Sequence, residues 1–365
     1  MMRMSDSLRA GVIGFGLAGR IFHASVIEYT PGIELAAIVE RSGSAAAEAF
    51  PQARTVRSVE ELLEDRSIEL CVVATPNESH VPLARQCLEA GRNVVIDKPF
   101  ALTSNEAAEL GALAEERGLL VSAFHNRRWD GDFLTLQALI STGELGRVVS
   151  YESHFDRFRA APRLGAWRES GGPGGGILFD LGPHLIDQAL VLFGPPDSVW
   201  AEVRTERPGA LTDDAFDLHL AYEGGPSVWL RATMSTVTPG ARFSVHGTGL
   251  AGEGGEAGAS FLKWGLDPQE DALKAGETFA TPNFGHEPEA AWGTLARSDA
   301  PPRRIETEPG NYRRYYAGVR DAIVEHKAPP VTARDAWMAL RLIELARESS
   351  ASGRTLPFDA NAYPG

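Results

Sequence analysis

The chain has 365 residues, 43% hydrophobic and 23% charged, enough for two domains that each bury a core. A net charge of −14 argues against wide contact with a nucleic-acid backbone, and the two cysteines, Cys71 and Cys87, lack zinc-site spacing. No apolar run reaches the ~18 residues of a membrane span and "MMRMSDSLRA" has no signal-type apolar region, so the expected setting is cytoplasmic with reduced thiols.

Residues 8–125 alternate short apolar runs with helical patterns. "LRAGVIG" reads as a strand, "LAGRIFHASVIEY" as a helix and "IELAAIV" as a second strand. "SVEELLED" is a short helix, "IELCVVAT" a strand, and "HVPLARQCLEAG" a helix closed by Gly91. "NVVID" is a strand, "SNEAAELGALAEERG" a helix with Ser104 as N-cap, and "LLVSAF" a strand. Continuous apolar strands suit a parallel sheet covered on both faces, and their alternation with helices predicts a doubly wound α/β domain.

After residue 126 the rhythm changes. A helix over "DFLTLQALISTG" precedes the alternating runs "RVVSYESHFDRF", "SVWAEVRTE", "AFDLHLAY", "SVWLRATMS" and "ARFSVHG". Such alternation predicts an open, mainly antiparallel sheet with one covered face. Residues 249–260 are low in complexity and read as a mobile loop. Two helices, "YRRYYAGVRDAIVEH" and "ARDAWMALRLIELARESS", close the chain.

"GVIGFGLAG" places Gly14, Phe15, Gly16 and Gly19 between a strand and a helix, with the acid Glu40 ending the second strand. In that context G-x-G-x-x-G is a dinucleotide fingerprint: Gly14 allows the tight turn, Gly16 the approach of a pyrophosphate, and Gly19 close helix–strand packing. Glu40 favours the free ribose of NAD. Arg41 and Ser42 follow at once and could hold the 2′-phosphate of NADP, so both cofactors stay open. Thr75, Pro76, Asn77 and His80 follow the fourth strand at the crevice where cofactors bind, either lining it or forming a structural loop.

"VVIDKPF" ends the fifth strand with Asp97, Lys98 and Pro99. A lysine there can hold a substrate oxygen on which charge develops. "GGPGGGILFDLGPHLIDQ" then carries Asp180, His184 and Asp187 on one helical face. Three readings compete: a metal site, a proton relay and a charged helix surface. The relay suits alcohol oxidation, with His184 as base, Asp180 orienting it and Lys98 holding the oxygen. Asp187 could be structural. Pro183 would kink a helix interior but not a helix start.

Together these motifs resemble the Gfo/Idh/MocA oxidoreductases. "HNRRWDGDFLTLQALI" and "FDLGPHLIDQALVLFG" are most similar to the scyllo-inositol dehydrogenase branch, which includes NADP-preferring members. The resemblance implies a Rossmann domain over residues 1–125, and over 126–365 a substrate-binding α/β domain whose open sheet builds a homodimer or homotetramer. It implies Lys98, Asp180 and His184 as catalytic residues, and Arg127 on the substrate side. The usual Glu-Lys-Pro appears here as Asp97-Lys98-Pro99. Trp167 and Arg168 could cover the nicotinamide or grip a polyol. The implied activity is hydride transfer between NAD or NADP and a secondary alcohol of a cyclitol or sugar. A dinucleotide-sensing regulator on the same fold is the alternative.

Overall fold

The computed structural model describes residues 7–163, 165, 169–249 and 258–364. Six parallel strands form the first sheet: β1 (Leu8–Ile13), β2 (Ile33–Val39), β3 (Arg54–Val56), β4 (Leu70–Val73), β5 (Asn93–Ile96) and β6 (Val121–Ala123). Their order is β3-β2-β1-β4-β5-β6. The chain steps outward from β1 to β3 and returns to the other side at β4. The carboxyl ends of β1 and β4 therefore flank the crevice in which such sheets bind ligands. All four residues of β4 are buried, as expected of a strand covered on both faces. The helices of this part are α1 (Ser25–Glu28), α2 (Ala45–Ala49), α3 (Val59–Glu64), α4 (His80–Glu89) and α5 (Ser104–Glu116).

Three local features depart from the sequence pattern. The stretch read as one helix after β1 is a π-helical turn over Gly19–Ala24 that runs into α1. The wider turn carries His23 into the interior, where Nδ1 lies 2.6 Å from Tyr316 Oη and Nε2 lies 3.7 Å from Asp97 Oδ1. The N-cap of α5 is Thr103 rather than Ser104. Thr103 and Glu106 form a capping box, which satisfies two helix-end N–H groups reciprocally. Ser104 begins the helix and donates from both N and Oγ to Glu344, at 2.7 and 2.8 Å. β3, with three residues, and α2, with five, are too short to show a period in the pattern.

The second sheet has nine strands: β7 (Val148–His154), β8 (Ser198–Arg204), β9 (Ala215–Ala221), β10 (Ser227–Thr233), β11 (Phe243–Gly247), β12 (Ala259–Lys263), β13 (Gly293–Arg297), β14 (Ala300–Ile305) and β15 (Leu356–Pro357). Their order is β14-β13-β12-β11-β7-β10-β9-β8-β15, antiparallel except for β7 with β10. The remaining helices are α6 (Gly131–Ser141), α7 (Ile177–Phe193), α8 (Gln269–Lys274), α9 (Arg313–Val324) and α10 (Ala333–Ser352). α7 packs on β9 and β10, and α10 on β8. The other face carries half-buried Trp200, His219 and Trp229, with the His219 and Trp229 rings 4.6 Å apart. Most of the low-complexity stretch 249–260 lies outside the described residues.

The two closing helices tie the sheets together. Tyr315 Oη meets Ser122 Oγ at 2.9 Å, and Ser122 donates to the Val331 carbonyl. Arg320 of α9 donates to the Pro31 carbonyl beyond α1. These contacts hold the second sheet over the carboxyl ends of the first. Among the described residues no helix is long and apolar enough to cross a membrane.

Candidate active site

The turn after β1 shows why each glycine stands where it does. Gly14 has φ of 100°, and a Cβ there would come 2.7 Å from the Ala74 carbonyl oxygen. A Cβ on Gly19 would overlap the Gly14 carbonyl. Gly16 differs: nothing lies within 4 Å of its Cβ position. Its open side leaves a cradle that a side chain would fill and that a pyrophosphate can approach. Phe15 packs edge-on against Phe50, their centroids 5.9 Å apart, and so braces the turn.

Glu40 lies directly after β2. Its Oε2 accepts from Ala46 N at 3.2 Å, and its carbonyl accepts from Arg57 Nη1 at 2.9 Å. The carboxylate therefore faces the start of α2, whereas Arg41 and Ser42 are exposed beside it.

After β4, Thr75 Oγ1 accepts from Ser79 Oγ at 2.7 Å. Pro76 precedes a short 3-10 turn over Asn77–Ser79. Asn77 is buried, its Nδ2 has no partner, and a Cβ on Gly174 would come 3.1 Å from that nitrogen. The glycine run before α7 thus packs closely against this turn. His80, expected to line the cofactor, is instead a buried clip. Its Nδ1 and Nε2 each lie 2.8 Å from a main-chain carbonyl, of Pro99 and Thr75 respectively. Both ring nitrogens are taken because α4 begins there and turns the imidazole back under the two loops.

Asp97 follows β5 and its Oδ1 accepts the Lys98 N–H at 2.8 Å. Burial pushes this carboxyl up, but His23, His80 and Lys98 together hold it below the usual range. The Lys98–Pro99 peptide is cis. Lys98 Nζ crosses to α7 and donates to both the carbonyl and Oδ1 of Asp180, each at 2.8 Å. One helical turn on, His184 is buried, and its Nδ1 has no hydrogen-bond partner. Burial, followed by the charges of Lys98 and Arg127, holds the imidazole well below its ordinary range. It is therefore neutral near pH 7.

The structure brings Lys98 and Asp180 together directly. Asp180 was expected to orient His184; its carboxylate is turned to Lys98 and the His184 Nδ1 goes unpartnered. Pro183 lies in the interior of α7, where it removes the donor to the Phe179 carbonyl. The helix nevertheless runs unbroken from Ile177 to Phe193, and the carbonyl next to the one that loses its donor, that of Asp180, is the one Lys98 reaches.

Asp187 pairs with Arg128 through two bonds of 2.9 and 2.6 Å, both side chains largely buried. It therefore does not converge with Asp180 and His184, and the facial ligand set of a metal site is not formed. Arg127 is buried too. It pairs with Asp130 at 3.0 Å and with Glu270, and its guanidinium lies 4.8 Å from the Phe155 ring centroid. Asp130 and Glu270 thus engage two of its five N–H donors, and Nε has no partner among the described residues. Trp167 and Arg168 lie outside the described residues.

One histidine escapes sequence reasoning because no motif marks it: His23 connects Asp97 to Tyr316. His125, which heads the "HNRRWD" stretch, follows β6 and is buried with neither ring nitrogen bonded among the described residues. Burial pushes it down, against the pull of Asp187.

Residues 8–125 match the profile of the oxidoreductase family's NAD-binding Rossmann fold, and residues 137–358 that of its C-terminal alpha/beta domain. The chain belongs to the Gfo/Idh/MocA oxidoreductase family. It is 45% identical over 356 residues to the uncharacterized oxidoreductase YdgJ of Escherichia coli, covering 97% of this chain and 99% of that one. It is 37% identical to the scyllo-inositol 2-dehydrogenase (NADP(+)) IolW of Bacillus subtilis, covering 97% of each. The solved structure of YvaA from Bacillus subtilis superposes with a TM-score of 0.92 at 36% identity, covering 98% of this chain and all of that one. The family's Rossmann domain makes NAD(P) the cofactor of this oxidoreductase.

Proposed function

We propose that this member of the family interconverts a secondary alcohol and a ketone on a cyclitol, sugar or related polyol. The observation that carries this reading is the Lys98–Asp180 pair one helical turn from neutral His184, at the mouth of the crevice. Gly14, Gly16 and Gly19 form the pyrophosphate turn, with Thr75, Pro76 and Asn77 beside it. Bound there, the nicotinamide supplies hydride transfer to or from the substrate carbon.

Lys98 Nζ has three donors and spends two on Asp180, so the third is free for the substrate oxygen. Fixed by Asp180, it stabilises negative charge that develops on that oxygen. The hydroxyl proton passes to His184, which starts neutral and so can accept it. In the reverse direction His184 returns that proton to the oxygen. Nδ1 is buried, so Nε2 is the nitrogen that meets the substrate. Asp187 and Arg128 hold α7 in place and take no part in the chemistry.

We assign NADP as the preferred cofactor. One oxygen of Glu40 is taken by the Ala46 N–H, while Arg41 is exposed and can meet a 2′-phosphate. The similarity to IolW, named for NADP(+), supports both this preference and the cyclitol class. The open face of the second sheet, with Trp200 and Trp229, is the surface we assign to a homodimer or homotetramer. A panel of inositols and sugars with NADP and NAD, read at the nicotinamide absorbance, tests the assignment. Turnover with at least one polyol is expected. None across the panel would overturn it in favour of a dinucleotide-sensing role.

A further inference from the structure

The segment after β7 continues in extended form along residues 231–236. Phe155 N donates to the Arg231 carbonyl at 2.9 Å, and Arg157 and Arg159 donate to Thr233 and Met234 at 2.8 Å each. Side chains on an extended strand alternate between faces. Tyr151, Ser153 and Phe155 are the buried residues of this run, so Arg157 and Arg159 stand on the same, covered side. Arg159 and Asp180 line one small cavity with Glu169, Arg207, Asp213 and Asp214, and Arg157 lies apart from it, beside Arg127 on the Phe155 ring.

The three arginines Arg157, Arg159 and Arg207 are unevenly neutralised. Arg207 pairs with Asp214 at 2.8 Å and Glu169 at 3.0 Å. Arg159 has Glu169 only at 3.7 Å. Arg157 is half-buried, and its guanidinium makes no hydrogen bond or ion pair to any described residue. It packs on the Phe155 ring, 5.2 Å from the centroid, the ring that Arg127 also packs against. Its nearest recorded counter-charge is Glu270, which already forms ion pairs with Arg127 and Lys274 and so neutralises Arg157 only in part. A half-buried guanidinium without a direct ion pair is costly, and a second arginine two residues away adds repulsion. The neighbouring arginines Arg163 and Arg157 press on the Arg159 guanidinium, whose pKa burial also lowers.

We propose that the physiological substrate carries an anionic group, a carboxylate or a phosphate, and that Arg157, with Arg159, receives it at the open end of the cleft. The proposal rests on the polyol reading above and names the substrate class within it. The reacting hydroxyl lies between Lys98 and His184, and the anion lies across the cleft on the guanidinium of Arg157. Arg157 is a specificity residue and takes no part in hydride or proton transfer.

The test compares glucose, glucuronate and glucose 6-phosphate, which share a ring and differ in charge. Calorimetric titration of the NADP-loaded protein reads binding without turnover, and nicotinamide absorbance reads kcat and KM. One or both charged sugars should bind about tenfold or more tighter than glucose, a difference that fades at high salt. The carboxylate and phosphate arms tell which anion fits. In Arg157→Ala the charged-to-neutral ratio should fall toward one through KM, with kcat for the charged sugar little changed. Arg157→Lys should restore part of it. Equal binding of all three sugars, binding of none, or a preference that survives Arg157→Ala would overturn the proposal. Charged sugars that bind through Arg157 without turnover would uphold the anion site and count against the polyol oxidoreductase reading.

Discussion

Lys98 Nζ and Asp180 are joined twice, once through the carboxylate and once through the main-chain carbonyl, each at 2.8 Å. The double attachment fixes the ammonium in position and leaves one donor for a substrate oxygen. Lys98→Met should lower kcat/KM about 100-fold or more while dinucleotide binding persists. Asp180→Asn keeps the carbonyl bond and should lose less. Steady-state kinetics with a fluorescence titration of NADPH separates the two effects. Full activity in Lys98→Met would remove the lysine from the mechanism.

His184 should give the protein a stability that depends on pH in a defined sense. Burial and nearby cations hold its folded pKa well below that of an ordinary histidine, and His125 is shifted the same way. Above the unfolded value both states are neutral and the term vanishes. As pH falls through it, the unfolded chain gains a proton that the folded ring refuses, so stability is lost. Thermal midpoints measured from about pH 8 to about pH 5.5 should start to fall near the ordinary histidine range, and fall less steeply in His184→Gln. Alcohol oxidation should hold its rate to lower pH than an unshifted histidine base would allow.

Gly16 and Gly19 should respond differently to the same substitution. A Cβ on Gly19 overlaps the Gly14 carbonyl, so Gly19→Ala should lower the thermal midpoint of the free protein. Gly16→Ala meets nothing within 4 Å and should leave that midpoint unchanged while weakening NADP binding about tenfold or more. Equal effects of both substitutions on stability would contradict the assignment of Gly16 to the cofactor cradle.

Arg41→Ala should raise KM for NADP about tenfold or more and leave KM for NAD nearly unchanged, since only NADP offers a 2′-phosphate to a guanidinium. An unchanged preference would return the choice to Glu40 and NAD.

Asp187→Ala should act on stability. It leaves the largely buried Arg128 guanidinium without its best partner, a change worth about 3–5 kcal/mol when a buried pair is broken. Denaturant unfolding would show it. Near-normal kcat in the folded fraction is the expected accompaniment.

Much of the architecture was written locally. Period-two alternation and short apolar runs belong to single strands, so the first sheet without β3, and β7 to β11 of the second, could be read in chain order; β12 to β15, which extend the second sheet at both edges, could not. The turn glycines were legible for the same reason: the φ of Gly14 and the crowding at Gly19 arise within one strand–turn–helix unit. Lys98, Asp180 and His184 could be named from motif and helical spacing, but not their pairing. Lys98 and Asp180 are 82 positions apart in the chain, and only the packing of α7 over the end of β5 decides that the carboxylate serves the lysine rather than the histidine. The same packing turns His80 into a clip, gives Asp187 to Arg128, and sets Arg157 on a ring face with only the shared Glu270 as counter-charge. These are long-range electrostatic choices among several nearby partners. A linear pattern carries the period of burial, but not which charge lies nearest once the two sheets close on each other.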